Sequence, residues 1–151
     1  MSTSAMAEQQ ALIRTMAERW EQVARKFAEL AEQIPEDKFE WTPMAGLRTC
    51  GAVVRHVAFW NLYVGSSLRG VEADDSANEL SVLDYPTREK ALDALTESAE
   101  AVGAALRQPE AELTPRTLDL VAAFAEHTSE HYGQLTVYAR TMGVVPPASR
   151  G

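Results

Sequence analysis

Leu12, Met16, Trp20, Val23, Phe27, Leu30 and Ile34 recur along the first part of the chain at intervals of 4, 4, 3, 4, 3 and 4 residues. That rhythm places one apolar stripe on a long amphipathic helix over residues 6–34. Pro35 is the expected stop, because the residue before a proline is pushed out of helical geometry. After a loop over 35–48 that contains Pro43 and Gly46, Thr49 is placed to cap a second helix over 49–69. Its stripe is Cys50, Val53, Val57, Trp60, Val64 and Leu68, and Gly70 closes it. A third helix is predicted over 87–107, capped by Thr87 and striped by Leu92, Leu95, Ala99, Val102 and Leu106. Pro109 and Pro115 bracket a short loop. The fourth helix is predicted over 117–142, with Val121, Ala125, Thr128, Leu135 and Met142 inward and Gly143 at its end.

No alternating strand pattern separates these segments. Four helices with one apolar face each need one another for burial, so the fold class is all-α, a four-helix bundle in one domain over 1–151. The connection from Val71 to Asp84 carries five acidic residues and no basic one. Its length suits helices 2 and 3 running parallel, which a short turn cannot join. A crossover, a lid and a solvated loop are all open readings of it.

Composition narrows the function classes. A net charge of −8 argues against nucleic acid and anionic membranes as partners. The single cysteine, Cys50, rules out an intramolecular disulfide. The start of the sequence lacks a signal-peptide pattern, and no run approaches the ~20 apolar residues of a membrane span. A soluble protein of a reducing cytoplasm is expected.

The candidate chemistry lies in EHTSEHYGQ, residues 126–134. On a helix, positions four apart are rotated by only about 40° and separated by about 6 Å, so His127 and His131 project from one face. The third histidine, His56, borders the inner stripe of helix 2. Its height along the bundle permits all three rings to meet without fixing the relative direction of the two helices. Three neutral imidazoles suit a borderline divalent ion such as zinc, nickel or iron. They leave a coordination position open for water or substrate, where the ion would generate a nucleophile. Solvated surface histidines and a satisfied core histidine are the ordinary alternative.

H-x-x-E-H is also the signature of inverted zinc peptidases. That class needs a downstream carboxylate ligand, yet none of the 20 residues after His131 is Asp or Glu. The peptidase reading is set aside.

The C-terminal segment EHTSEHYGQLTVYARTMGVVPP resembles the last helix of the DinB-like family, in which H-x-x-x-H-x-G-Q-[L/I] precedes an arginine and a Gly-x-x-Pro exit. The matching positions are His127, His131, Gly133, Gln134, Leu135, Arg140, Gly143 and Pro146. Upstream, Trp41 and Pro43 match the family's first loop, and His56 its helix 2 histidine. The resemblance implies an up-down-down-up bundle, often a homodimer, with zinc or nickel held by His56, His127 and His131. It further implies a low-molecular-weight thiol as co-substrate, since the family includes bacillithiol-dependent S-transferases and mycothiol-dependent isomerases acting on small molecules. Many members have no assigned reaction, so a non-catalytic metal- or ligand-binding stress-response dimer and a metal-dependent hydrolase stay open.

Around the histidines, Gln134 is a candidate for orienting a ligand or for interhelical packing. Trp60, Tyr63 and Tyr132 are candidates for pocket walls or for core. Gly133 is expected to permit close helix approach. Glu130 is a possible general base, although it lies about 100° around the helix from His131. Cys50 is expected to be an inert buried thiol.

Overall fold

Each helix begins on a hydroxyl cap. In the computed structural model, which describes residues 2–108 and 110–151, α1 spans Thr3–Ala31, α2 Cys50–Leu68, α3 Arg88–Leu106 and α4 Pro115–Thr141. Ser2, Thr49, Thr87 and Thr114 accept hydrogen bonds from Ala5, Ala52, Lys90 and Thr117 respectively. Each satisfies an otherwise orphaned donor, worth about 1 kcal/mol. Two single turns of 3₁₀ helix, Glu36–Lys38 and Pro147–Ser149, complete the set, and there is no strand among the described residues. Pro109 lies outside the described residues.

Three boundaries differ from the sequence reading by two residues or more, the first being the start of α1 at Thr3 rather than 6. Helix α1 stops at Ala31 rather than 34. Gln33 and Ile34 donate to Leu30 and Ala31, three residues back, so the chain tightens before Pro35. Pro115 opens α4 instead of ending a loop. At the first helical position its missing N–H is no loss, and its fixed φ suits the turn. The stripe of α1 also shifts at its start. Ile13 and Ala17 are buried, whereas Leu12 is 50% exposed.

Cross-bundle contacts give the topology. Glu21 pairs with Arg107, and the Glu32 carbonyl accepts from Arg88, so α1 and α3 run antiparallel. Asn61 bonds Ser98, and Gly65 lies against Val102, so α2 and α3 run parallel. The Arg48 carbonyl accepts from Tyr138, and Trp60 stacks on Phe124, so α2 and α4 run antiparallel. The order is up-down-down-up, and the acidic connection is the crossover that parallel neighbours require.

Helix α2 is the central element. From Cys50 to Phe59 every residue except Ala52 is buried. The core falls into two clusters. One gathers Phe27, Leu30, Val53, Val57, Leu95 and Leu135. The other gathers Ile13, Trp20, Val64, Val102 and Val121. His127 sits on α4 between Val121 of one cluster and Leu135 of the other.

The first loop folds back over the start of α2. Cys50 and Gly51 donate to the carbonyls of Trp41 and Phe39 at 3.0 and 2.6 Å. Arg55, 1% exposed, is held by both carboxylate oxygens of Glu40 at 2.8 and 3.0 Å. Trp41 reaches across to α4 and meets Tyr138 edge-on, with ring centroids 6.3 Å apart. This packing sets the height of α2 against α4, and hence of His56 against His127.

Candidate metal centre

The three imidazoles form one cluster. Ring centroids are 4.8 Å apart for His56 and His127, 4.6 Å for His56 and His131, and 4.5 Å for His127 and His131. One ligand nitrogen from each lies within 4.8 Å of the others. His56 is buried, and His127 and His131 are half-buried.

Hydrogen bonds fix two tautomers. The Nδ1 of His56 faces the main-chain oxygen of Asn78. A carbonyl only accepts, so His56 carries its hydrogen on Nδ1 and offers Nε2 as a lone pair. A longer relay does the same for His131. Tyr138 donates to the Arg48 carbonyl at 3.1 Å, so its oxygen accepts from Gln134 Nε2 at 3.0 Å. Gln134 Oε1 therefore faces His131 and accepts from its Nδ1 at 2.8 Å. Such outer partners are what orient metal-binding histidines. The Nε2 atoms of His56 and His127 stand 2.9 Å apart, and His127 Nδ1 is buried without a partner.

Protonation is disfavoured at two of the rings. Burial pushes His56 down to about 4; the Asn78 contact opposes this, while Arg48 and His131 reinforce it. Burial, then the neighbouring His131 and His56, pushes His127 down to about 4. Both are therefore neutral lone-pair donors near pH 7. Nitrogen ligands on one tetrahedral ion stand roughly 3.3 Å apart, given bonds of ~2.0–2.1 Å. The 2.9 Å spacing of His56 and His127 is somewhat shorter, so these two rings must part slightly around such an ion, and the all-imidazole donor set suits a divalent ion of that class.

Aromatic residues wall one side. Trp60 stacks on Phe124 at 5.2 Å, and both present edges to His127, at 6.4 and 5.7 Å. Tyr63 packs on Trp60 at 5.3 Å. Tyr132 is placed elsewhere. Its ring faces α1, with Lys26 Nζ 4.4 Å from the centroid, so it joins α1 to α4.

The profile of the DinB superfamily matches residues 19–135, a span that takes in all three histidines and Gln134. The chain belongs to the DinB superfamily. No curated protein matches it closely enough to count as a relative. The up-down-down-up order and the three-histidine cluster expected from the family resemblance are both present in this DinB-superfamily protein.

Of the remaining expectations, that for Gly133 fails and that for Cys50 holds. A Cβ on Gly133 would meet nothing within 4 Å, so this glycine faces open space and makes no close helix approach. Glu130 is exposed. Cys50 is buried, and burial pushes its thiol up to about 11, so it is inert. Asn78, Phe124, Tyr138 and Arg48 were not picked out from the sequence. For Phe124 a signal existed, because it stands three residues before His127 on the same helical face. Asn78 comes from a distant loop and had none.

Proposed function

We propose that this DinB protein binds a divalent metal ion, zinc or nickel, through His56, His127 and His131, and transfers a low-molecular-weight thiol to small electrophiles. One observation carries the metal reading: three imidazoles converge, and two of them have their outer nitrogens tied by hydrogen bonds. The bound ion would lower the pKa of a coordinated thiol or water and so supply a nucleophile near neutral pH. The protein's own groups do the rest. Asn78 and Gln134 hold ring orientation, and Trp60 and Phe124 keep water from one flank of His127. The choice of thiol transfer over hydrolysis rests on family analogy. In this reading the protein is a cytoplasmic homodimer.

Elemental analysis of the purified protein and titration with Zn(II) and Ni(II) test the site. One ion per chain is expected, with binding lost in His127→Ala. Absence of binding in the wild-type protein would sink the proposal. Incubating the loaded protein with bacillithiol or mycothiol and a panel of electrophiles tests turnover.

A second reading, a stress-response protein that holds metal or ligand without turnover, is favoured by one feature. A hollow of about 410 Å³ lies between α1 and α3, lined by Glu21, Arg25, Glu29, Leu95 and Glu100 rather than by the histidines. Metal binding without thiol transfer would select this reading.

A further inference from the structure

The acidic crossover from Val71 to Asp84 is exposed over most of its length and docks where Glu79 and Leu80 are covered. Asn78 has a positive φ of 60°, in the left-handed region that few residues besides glycine, asparagine and aspartate adopt readily. That conformation lets one residue serve two neighbours. Its main-chain oxygen takes the hydrogen of His56 Nδ1, and its side-chain Oδ1 accepts from Trp60 Nε1 at 2.9 Å. The next two residues pin the segment. Glu79 pairs with Arg48 at 3.3 Å. Leu80 is buried and donates its N–H to the Arg55 carbonyl at 3.3 Å. Arg48 thus touches both supports of the cluster: its carbonyl ends the relay from His131, and its side chain holds the residue beside Asn78.

We propose that Asn78 is a positioning residue of the metal centre. Its carbonyl fixes the His56 tautomer, its side chain clamps Trp60 at the wall, and the crossover must dock for the site to be complete. The claim about the metal rests on the reading given above. The claim about His56 does not, because the Asn78 contact exists without an ion. An ion that needs the His56 Nε2 lone pair favours the docked crossover, and docking favours the ion to the same degree.

Two substitutions separate the roles. Asn78→Gly keeps the left-handed backbone and its carbonyl but removes the clamp on Trp60. Asn78→Val disfavours positive φ and displaces the carbonyl. ¹⁵N NMR of the imidazoles in metal-free protein reads the tautomer directly. The wild-type protein and Asn78→Gly should show His56 protonated on Nδ1, whereas Asn78→Val should show a mixture. Titration with Co(II), followed by its visible absorption, should weaken about 10–100-fold in Asn78→Val and little in Asn78→Gly. Asn78→Gly should instead shift Trp60 fluorescence. If Asn78→Val does not fold, Leu80→Ala undocks the segment without touching residue 78, and the same tautomer change is expected there. An unchanged His56 tautomer in the undocked variants would overturn the proposal. A wild-type protein that ignores Co(II) yet shows the predicted tautomer change would overturn the metal reading alone.

Discussion

The Nε2 atoms of His56 and His127 face each other at 2.9 Å across the α2–α4 interface. Contact at that distance requires at least one bare lone pair, and two like-charged imidazolium rings would repel. The cluster therefore exists as built only while at least one of these rings is neutral, which ties its stability to pH.

Both rings have folded-state pKa values of about 4, against an ordinary 6.5. Between those values the unfolded chain binds more protons than the folded one, so stability rises with pH there. Metal-free protein should accordingly lose thermal stability as pH falls from about 6.5 to about 4, with no further contribution from these rings below that. Melting curves in chelator at pH 7, 6 and 5 measure this. A double variant, His56→Gln with His127→Gln, should show a flatter dependence. A wild-type melting temperature that rises on acidification through this window would contradict the assignment.

The Tyr138 hydroxyl links Gln134 to the Arg48 carbonyl, and through Gln134 it sets the hydrogen of His131. Tyr138→Phe deletes that link and leaves both partners without it. The expected cost is about 1–1.5 kcal/mol of stability, or roughly 3 °C in melting temperature. Metal affinity should also fall, because His131 loses its fixed tautomer. Tyr138→Phe with unchanged metal affinity would show that Gln134 alone orients the ring.

How far the site could be read from residues alone follows from the range of each interaction. Thr49 and Thr87 were legible as caps because a cap joins residues three apart. The facing of His127 and His131 was legible for the same reason. The arrival of His56 beside them depends on the direction of α2 relative to α4, which helical spacing leaves open and which cross-bundle contacts decide. Asn78 and the Glu40–Arg55 pair are tertiary facts. Each joins a loop to α2 through backbone paths that no periodicity encodes. Leu12 was misread because a stripe counted at intervals of four drifts around a helix, whereas Ile13, Ala17 and Trp20 stay on the buried face.

Arg55 is 1% exposed and depends on Glu40 for its charge partner. Burial pushes the Glu40 carboxyl up, but the hydrogen bonds from Arg55 and Thr49 outweigh it and hold the group below the ordinary range. The stability it contributes is present above about pH 4.5 and is lost as pH falls through its lowered value. Glu40→Ala leaves a buried guanidinium unpaired. The expected loss is about 3 kcal/mol, the low end for a broken buried pair because water reaches the vacated Glu40 position. Chemical denaturation checks this, and a loss under about 1 kcal/mol would mean that the pair is screened like a surface one.

Gly51 makes the same corner possible. A Cβ there would stand 2.6 Å from Glu40 Oε1 and 2.8 Å from Phe39 Cε1, closer than real side-chain contacts allow. The glutamate is flexible and can yield, but the buried Phe39 ring has no free space and the Gly51 N–H is bonded to the Phe39 carbonyl. Gly51→Ala must therefore push the first loop off α2, at a cost of about 1–3 kcal/mol despite the better helix propensity of alanine. Since Glu40 would move with the loop, the Gly51→Ala and Glu40→Ala losses should be less than additive in the double variant. Equilibrium denaturation of the two single variants and the double variant measures the coupling. Full additivity would mean that the clash is relieved without disturbing the Arg55 pair.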